Sequence, residues 1–257
     1  MRQKVLSLPP ISGRLARLAR LARSQGKRHV LYSLVRAVLR WRCFRPWLKF
    51  CVVEVFSVPV SELRRSRRIP RAFEVRTASA EDLPALQAFF SDGTRVRDRF
   101  QRGDICTVTL AKDEICAAVW FALGPQDYRE DWDDLGCIFR VPSGVAWSFD
   151  GKGTKLGAWG SLMGKFPQYL EQFGASEVMT IIDYDNRESL DAHRSLGYRS
   201  LGAICYFNVL GFGLRLYRSH GERWRSMPGR IGRLGLSSKN NAPLSTAGDA
   251  SQELATP

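Results

Sequence analysis

Apolar residues recur at two different spacings along this chain, and the spacings predict its helices and strands. Helical periodicity predicts four helices in the central part, over residues 80–90, 95–102, 159–173 and 187–195. Shorter β-branched and aromatic runs predict six strands, at residues 73–76, 105–111, 115–123, 144–149, 176–183 and 205–210. This mixture of elements, with a hairpin turn at residues 112–114, indicates an α+β fold.

The N-terminal part carries a different pattern, in which arginines alternate with Leu, Ala, Val and Trp. Residues 13–23 repeat with a period of three, and residues 29–42 place their apolar side chains mostly on one side of a helix. A basic amphipathic helix of this kind suits a membrane surface or the groove of a partner protein. Two alternatives stay open: the second helix packs on the body and turns its arginines to water, or the segment is a mitochondrial transit peptide.

Changes in composition divide the chain into four parts. Residues 1–49 form the basic amphipathic arm, residues 50–72 an extra strand and a basic linker, and residues 73–217 the folded domain. Residues 218–257 are rich in Ser, Gly, Asn, Ala and Pro, which predicts a flexible tail. No apolar run approaches the roughly 18 residues of a membrane-spanning helix, so the expected membrane contact is a peripheral one, at the inner face.

Positive charge is concentrated in the arm and the linker. Residues 1–72 hold 18 Lys and Arg against 2 Asp and Glu, whereas the rest of the chain holds 21 against 23. Because the body lacks a basic excess, the pattern argues against nucleic-acid binding by the domain. Six Cys without a C-x-x-C pair and only three His predict neither a metal site nor a disulfide framework, which indicates a reducing, cytoplasmic environment.

A glycine-rich turn follows the strand at residues 144–149 and precedes the helix at residues 159–173. Glycines let a backbone approach a ligand closely, and the free N–H groups at the start of a helix attract a phosphate. The turn lacks the G-K-[ST] ending of a Walker loop and the repeated βαβ units of a dinucleotide fold. By itself it indicates a phosphate site without identifying the ligand.

A more specific pattern begins after the next buried strand. Asn186 opens a short helix, Ser189 follows three residues on, His193 follows seven residues on, and Leu-Gly-Tyr at residues 196–198 close the segment. This segment resembles the second signature of the GNAT (GCN5-related) N-acetyltransferases, which has an Asn, a small residue, an aromatic residue and a Leu-Gly-aromatic ending. An ordinary helix cap and stop explains the Asn and the Gly but not the whole ordered set.

The resemblance implies a splayed mixed, mostly antiparallel sheet flanked by helices, in which two neighbouring strands part near Trp147 and Ile182. The substrate would be acetyl-CoA or a longer acyl-CoA, with no metal involved. Its pantetheine would enter the gap and pair with the backbone of Val145, Ala146 and Trp147. The glycine-rich turn would hold the pyrophosphate, and Asn186 would contribute to the same site.

The glycine-rich turn departs from the family pattern, which is Arg or Gln, two residues, Gly, one residue, and Gly or Ala. A gapless placement assigns five residues to the pyrophosphate: Lys152, Gly153, Lys155, Gly157 and Ala158. This placement puts Gly160 and Ser161 at helix positions that are apolar in the family. A shift of one to three residues repairs the helix but loses the glycines, which leaves room for a weak or lost CoA site.

Acyl transfer by direct attack needs a base for the acceptor's proton and a donor for the departing thiolate. Many members of the family place a Tyr hydroxyl near the sulfur, at the position of His193 here, so a charged His193 is the first candidate donor. Asp150 and Asp183, at the ends of the parting strands, are candidate bases. Each also has a structural interpretation, as a helix histidine or as a capping or loop carboxylate.

An acidic connection lies at residues 124–136, in the region where acceptors enter related folds. Against Arg129 it contains five acidic residues: Asp127, Glu130, Asp131, Asp133 and Asp134. They form a solvated loop, or they steer a cationic acceptor such as an amine or a lysine side chain.

The sequence leaves three functions to compare. The first is an acyltransferase held at a membrane by residues 13–42, near an envelope-associated acceptor with an amine or hydroxyl group. The second is a catalytically silent GNAT-like module that binds a membrane or a partner through the arm. The third, nucleic-acid binding through the arm, is disfavoured because the arm mixes its charges with an apolar face.

Overall fold

The structure is a computed structural model that describes most of the central chain. The described residues are 31–32, 34–35, 48–63, 72–91, 93–130, 135, 137–210, 212–220, 222–227 and 232–235. The predicted helix at residues 13–23 lies outside them, as do most of residues 29–42 and most of the predicted tail. The four described residues of the predicted helix at 29–42, which are 31–32 and 34–35, are helical.

Four α-helices and two short 3-10 turns are present in the described chain. The helices are α1 (Leu83–Phe90), α2 (Gly93–Arg102), α3 (Ala158–Gln172) and α4 (Arg187–Ser195). The 3-10 turns lie at Val60–Glu62 and Ala80–Asp82. The four helices predicted from periodicity are confirmed, and none of the described helices is long and apolar enough to span a membrane.

Nine strands of the described chain form one large sheet, and three form a smaller one. In chain order the strands are β1 (Leu48–Pro59), β2 (Glu74–Thr77), β3 (Ile105–Ala111), β4 (Glu114–Leu123), β5 (Gln126–Glu130), β6 (Cys137–Val141), β7 (Val145–Gly153), β8 (Glu177–Asp183), β9 (Arg199–Val209), β10 (Phe212–Ser219), β11 (Arg225–Ser226) and β12 (Gly232–Gly235). The large sheet has the order β11-β10-β9-β1-β8-β7-β4-β3-β2. Its neighbours are antiparallel except for β7 and β8, which confirms the predicted mixed, mostly antiparallel sheet.

Strand β1 lies inside the large sheet, between β8 and β9. It pairs with both neighbours, and Val53, Val55 and Val58 are fully buried. The sequence predicted this strand as an extra element in front of a domain that begins at residue 73. A domain that began at residue 73 would lack an inner strand of its own sheet, so the folded unit includes β1. Strand pairing across such a distance in the chain leaves no local pattern that could have revealed it.

Apolar side chains cover both faces of the large sheet. On one face, α3 and α4 bury residues such as Phe166, Leu170 and Leu190 against Phe121. On the other face, α1 and α2 bury Leu86 and other residues together with the small sheet. The region near β7 is therefore enclosed from both sides, and the candidate site is built there.

The small sheet has the order β12-β6-β5 and was not predicted. Residues 124–136 were interpreted as a connection, but residues 126–130 form β5, paired antiparallel with β6. Strand β12 belongs to the predicted flexible tail, yet it pairs in parallel with β6. These corrections have a common reason: short strands with few apolar residues carry no clear alternation. Residues 131–134 of the acidic connection lie outside the described residues.

The described residues contain five free cysteines: Cys51, Cys106, Cys116, Cys137 and Cys205. Within the same residues, no group of three or more His, Cys, Asp or Glu side chains is close enough to hold a metal ion.

Candidate active site

The inner strands β7 and β8 are parallel and separate halfway along their length. Residues 145–148 of β7 pair with residues 177–180 of β8, and the pairing ends at Ser148 and Thr180. Beyond this point β7 keeps β4 as its neighbour and β8 keeps β1. The predicted divergence of the two strands is therefore confirmed.

A β-bulge in β7 explains why the strand turns away from β8. Two residues of β7, Asp150 and Gly151, face the single residue Val119 of β4, because the register between the strands shifts there. The backbone of Asp150 has a φ of +46°, in the left-handed region that Asp and Asn tolerate better than most residues. A bulge bends its strand and increases the local twist. The direction of β7 therefore changes directly after the last pair with β8.

Arg99 of α2 holds this bulge from the other face of the sheet. Its guanidinium forms an ion pair with the carboxylate of Asp150. The same guanidinium lies 5.5 Å from the ring centre of Trp120 and 5.1 Å from that of Phe149. The Arg99 side chain is only 9% exposed, so Asp150 supplies the counter-charge of a buried cation. This pairing opposes the role of free base that the sequence suggested for Asp150.

A cavity of about 210 Å³ lies between the diverging ends of the two strands. It is lined by the bulge of β7, the end of β8 and residues of α3 and α4. Three of the predicted catalytic residues, Asp150, Asp183 and His193, line it together with Asn186. The structure thus brings together the ends of the two strands and the helix that carries the GNAT-like pattern.

His193 lines the cavity from α4, and its environment favours the neutral imidazole. Its Nδ1 atom lies 2.7 Å from the backbone carbonyl oxygen of Ser189, which can only accept a hydrogen bond, so Nδ1 carries the hydrogen. The Nε2 atom then holds the free lone pair. Burial lowers the pKa of His193 below its usual 6.5, and the hydrogen bond to Ser189 opposes this effect only in part. These properties are those of a base, whereas the sequence suggested a charged donor.

Three hydroxyl side chains in the cavity were missed by the sequence analysis: Ser148, Thr180 and Tyr198. Burial raises the pKa of Tyr198, so its hydroxyl stays protonated at physiological pH and can donate a hydrogen bond. Its ring contacts the ring of His193 edge-on, with 4.9 Å between the centres. Ser148 could have been found from the sequence, because it is the one polar side chain in the apolar run at residues 144–149.

Asp183 and Asn186 line the cavity but use their oxygens to organise the turn into α4. Oδ1 of Asp183 accepts a hydrogen bond from the backbone N–H of Asp185 at 2.8 Å. Oδ1 of Asn186 accepts one from the backbone N–H of Ser189 at 3.1 Å, which caps the helix. These two residues therefore fix the start of α4 and, through it, the position of His193.

The free backbone edge of β7 lies further along the strand than the resemblance implied. Val145, Ala146 and Trp147 pair with β8 on one side and with β4 on the other. The edge of β7 that faces β8 without pairing to it begins at Phe149 and continues through Gly151. The position of the bulge decides where this edge begins, and no pattern in the sequence indicates the bulge.

The turn between β7 and α3 also begins later than the gapless placement required. Lys152 and Gly153 belong to β7, and Gly157 is the N-cap of α3 with a φ of +81°. Lys155, Ala158 and Gly160 then fall at the spacing of the family pattern, which is the placement shifted by three residues. No side chain caps α3, and the N–H group of Ala158 donates to the Lys155 carbonyl at 3.2 Å, so the N–H groups of Trp159 and Gly160 are the ones that an anion can use.

Both lysines assigned to the pyrophosphate have protein partners. The Nζ atom of Lys152 donates to the backbone carbonyl of Phe89 and lies 4.9 Å from the Phe89 ring centre. The Nζ atom of Lys155 lies 2.9 Å from the carboxylate of Glu114, with both side chains exposed. Exposed ion pairs are weak, so Lys155 can exchange Glu114 for a phosphate. Lys152 points instead towards α1.

The packing of Trp159 also explains why glycines occur at positions 151 and 153. A Cβ atom on Gly151 would lie 2.5 Å from the ring of Trp159, and one on Gly153 would lie 3.2 Å from the Cβ of Trp159. These two glycines therefore make room for an indole that lines the cavity at the start of α3. Gly160 differs, because a Cβ there would meet nothing within 4 Å.

Comparison with known proteins finds only distant structural similarity. No protein-family model matches the chain, and no curated protein matches it. Similar solved structures include a conserved protein from Staphylococcus epidermidis described as functionally unknown, with 9% identity, a TM-score of 0.48, and coverage of 80% of this chain and 82% of that one. A GCN5-related N-acetyltransferase from Kribbella flavida has 16% identity and a TM-score of 0.45, over 73% of this chain and 65% of that one.

An aminoglycoside acetyltransferase from an uncultured soil metagenomic sample has 18% identity and a TM-score of 0.37, over 50% of this chain and 90% of that one. These identities are low, and what the chain itself displays is more specific. The mixed sheet, the divergence of β7 from β8 and the helix opened by Asn186 agree with the predicted architecture. The chain therefore has the mixed, mostly antiparallel α+β fold that its resemblance to the GNAT N-acetyltransferases implied, with β1 as an additional inner strand.

Proposed function

We propose that this protein transfers an acyl group from a CoA thioester to an amine or hydroxyl acceptor by direct attack. The observation that carries the proposal is the cavity between the diverging strands, which is lined by His193 of α4 and by Tyr198, three residues after the end of that helix. The acceptor's nucleophilic atom attacks the thioester carbonyl, and Nε2 of His193 takes the proton that this atom loses. The Tyr198 hydroxyl donates a hydrogen bond to the CoA thiolate as it leaves.

The structure offers separate partners for the two parts of acyl-CoA. The pantetheine amides would pair with the free edge of β7 from Phe149 to Gly151, as an added strand does. The pyrophosphate would lie at the uncapped start of α3, where the helix dipole favours an anion and Lys155 is within the same turn. We therefore place the ligand beyond Ser148 on β7 and at residues 155–160.

Thermal unfolding of the full chain with CoA, acetyl-CoA and longer acyl-CoAs tests this proposal. A ligand that binds only the folded state at 100 times its Kd stabilises that state by about 2.7 kcal/mol, which raises Tm in a saturable manner. ADP serves as the control, because it carries a pyrophosphate but no pantetheine. If no CoA compound raises Tm more than ADP does, the gap between β7 and β8 is not an acyl-CoA site.

Replacing Gly160 by glutamate should move stability and ligand binding in opposite directions. Glutamate favours a helix over glycine by about 0.5 kcal/mol, it adds a negative charge to the first turn, and a Cβ at this position meets no atom within 4 Å, so the free energy of unfolding should rise. The family pattern admits alanine at this position, but the longer and charged glutamate side chain enters the space where the pyrophosphate approaches and repels it, so the Kd for CoA should increase. Urea unfolding and calorimetric titration measure the two effects.

The matched control for Gly160→Glu is Gln168→Glu, an exposed substitution in the middle of the same helix. It should change helix stability slightly and leave the Kd for CoA unchanged. An unaltered Kd in the Gly160→Glu variant would mean that the pyrophosphate lies elsewhere.

A catalytically silent module is the second candidate, and two observations favour it. Lys152 is engaged with Phe89, and Gly151 and Gly153 are needed to accommodate Trp159, so these residues need no ligand to explain them. This function predicts that CoA compounds leave Tm unchanged. Binding of acetyl-CoA without turnover of any amine would place the protein between the two candidates, as a CoA-binding module.

A further inference from the structure

Strands β1, β9 and β10 carry an apolar surface that the described part of the chain leaves partly uncovered. Two cross-strand rows lie next to each other: Leu48, Val209 and Phe212 in one, and Phe50, Phe207 and Leu214 in the other. Cross-strand partners share a face of a sheet, and so do residues two positions apart. The six side chains therefore form one surface, which we call the hairpin face.

Three of the six side chains of the hairpin face are exposed and three are half-buried, and the exposure increases towards the turn between β9 and β10. Phe207 is 38% exposed and Leu214 48%, while Leu210 at the turn reaches 61% and Phe212 83%. Soluble monomers seldom leave a contiguous apolar surface of this kind open to water. The exposed rows thus point to a partner that takes up apolar side chains.

The opposite face of the same strands is the one packed into the protein. Tyr206, Arg215 and Tyr217 are buried there, and Nε of Arg215 donates to the backbone carbonyl of Leu135 at 2.7 Å. An antiparallel sheet with one solvated face normally alternates apolar residues inside with polar residues outside. These strands are apolar on both faces, so folding alone does not account for the outer one.

The described part of the N-terminal arm lies beside the hairpin face and adds to it. The ring of Tyr32 lies 5.5 Å from that of Phe50, whose ring in turn lies 5.9 Å from that of Phe207. The backbone N–H of Val52 also donates to the Tyr32 hydroxyl at 3.0 Å. These contacts fix one side of the arm helix to β1.

The other side of this arm helix is apolar and exposed. Leu31 is 63% exposed, and Leu34 and Val35 are each 41% exposed. Positions three and four apart lie on the same side of a helix, so these residues point away from the sheet together. The arm and the hairpin face therefore present apolar side chains from two separate elements at one end of the molecule.

We propose that the hairpin face and the arm together bind an anionic lipid surface. The choice of a lipid surface over another partner rests on charge: residues 1–72 hold 18 basic and 2 acidic residues, and Tyr32 of this segment contacts Phe50 of the apolar surface. Clustered Lys and Arg bind the negative surface of a membrane, while aromatic and aliphatic side chains enter the interface below the headgroups. Leu210 and Phe212 lie at the turn that enters first.

Co-sedimentation of the full chain with vesicles tests this proposal. Vesicles of phosphatidylcholine with phosphatidylglycerol should bind the protein, added salt should weaken the binding, and vesicles of phosphatidylcholine alone should bind it much less. The double variant Leu210→Asn/Phe212→Ser should lower the partition coefficient at least about tenfold, because burial of these side chains supplies the apolar part of the binding. Asn is well tolerated at position 210, where φ is +53°.

The control variant is Leu156→Ser, because Leu156 is at least as exposed but lies next to β7, four strands away from β10. It should bind vesicles as the parent chain does, and all variants should unfold at the temperature of the parent chain. The proposal is overturned if the double variant binds anionic vesicles as well as the parent does. It is equally overturned if the double variant dissociates an oligomer of the parent chain and leaves vesicle binding unchanged, because the hairpin face would then join two copies.

Discussion

Replacement of His193 by asparagine should lower the kcat for acyl transfer about 100- to 10,000-fold, the range that general bases contribute. Asparagine keeps an N–H group near the position of Nδ1, so the hydrogen bond to the Ser189 carbonyl can persist. It has no counterpart to the lone pair of Nε2. The measurement is steady-state kinetics with acetyl-CoA and a panel of amines, with the Kd for CoA expected to remain unchanged.

The pH dependence of the parent enzyme distinguishes a base from an acid at this position. The pKa of His193 lies below 6.5 because the ring is buried, so the neutral form dominates at pH 7. If His193 is the base, kcat/KM falls as pH decreases through that lowered pKa and is constant above it. If it is a charged donor, as the sequence suggested, kcat/KM falls instead as pH increases through the same value. A profile of the second kind, or an unimpaired His193→Asn variant, contradicts the proposed role.

The parts of the site that were predictable are those determined by residues close together in the sequence. The helix at residues 187–195 begins with Asn186 and ends before Gly197, and both signals act within the segment itself. The same segment carries His193, so the element and its candidate residue were identified together. The strand before it was recognisable because a strand buried on both faces is a continuous apolar run.

Features that depend on pairing between distant residues were not predictable in this way. The bulge at Asp150 exists because β4 and β7 shift their register there, and Arg99 holds it from a different helix. The pantetheine edge was consequently expected at residues 145–147, in the part of β7 that pairs with β8. The choice between donor and base for His193 likewise depended on its burial and on the Ser189 carbonyl, which only the folded chain defines.

The ion pair between Arg99 and Asp150 should respond very unequally to the loss of either partner. The Arg99 side chain is 9% exposed and that of Asp150 is 44% exposed. Asp150→Asn leaves a buried cation without its counter-charge, which should lower the free energy of unfolding by about 3 kcal/mol. Asparagine tolerates the left-handed φ of +46°, so backbone strain does not contribute to this loss.

Arg99→Met should cost less, about 1 kcal/mol, because the half-exposed carboxylate of Asp150 can be hydrated when its partner is removed. The double variant Arg99→Met/Asp150→Asn should then be more stable than Asp150→Asn alone, since the buried guanidinium that lost its ion-pair partner is no longer present. Urea unfolding of the three variants measures these differences. Equal losses in the two single variants, or additive losses in the double variant, would show that Asp150 does not neutralise Arg99.

The same three variants also test whether the ion pair keeps the gap between β7 and β8 open. Arg99 fixes the bulge through Asp150, and the bulge turns β7 away from β8 directly after Ser148. The double variant regains stability but lacks this connection, so its Kd for CoA should remain raised. If the double variant recovers both the stability and the CoA affinity of the parent chain, the bulge bends β7 without help from the ion pair. The free energy of unfolding therefore reports on the buried charge of Arg99, and the Kd for CoA reports on the effect of Arg99 on the shape of the site.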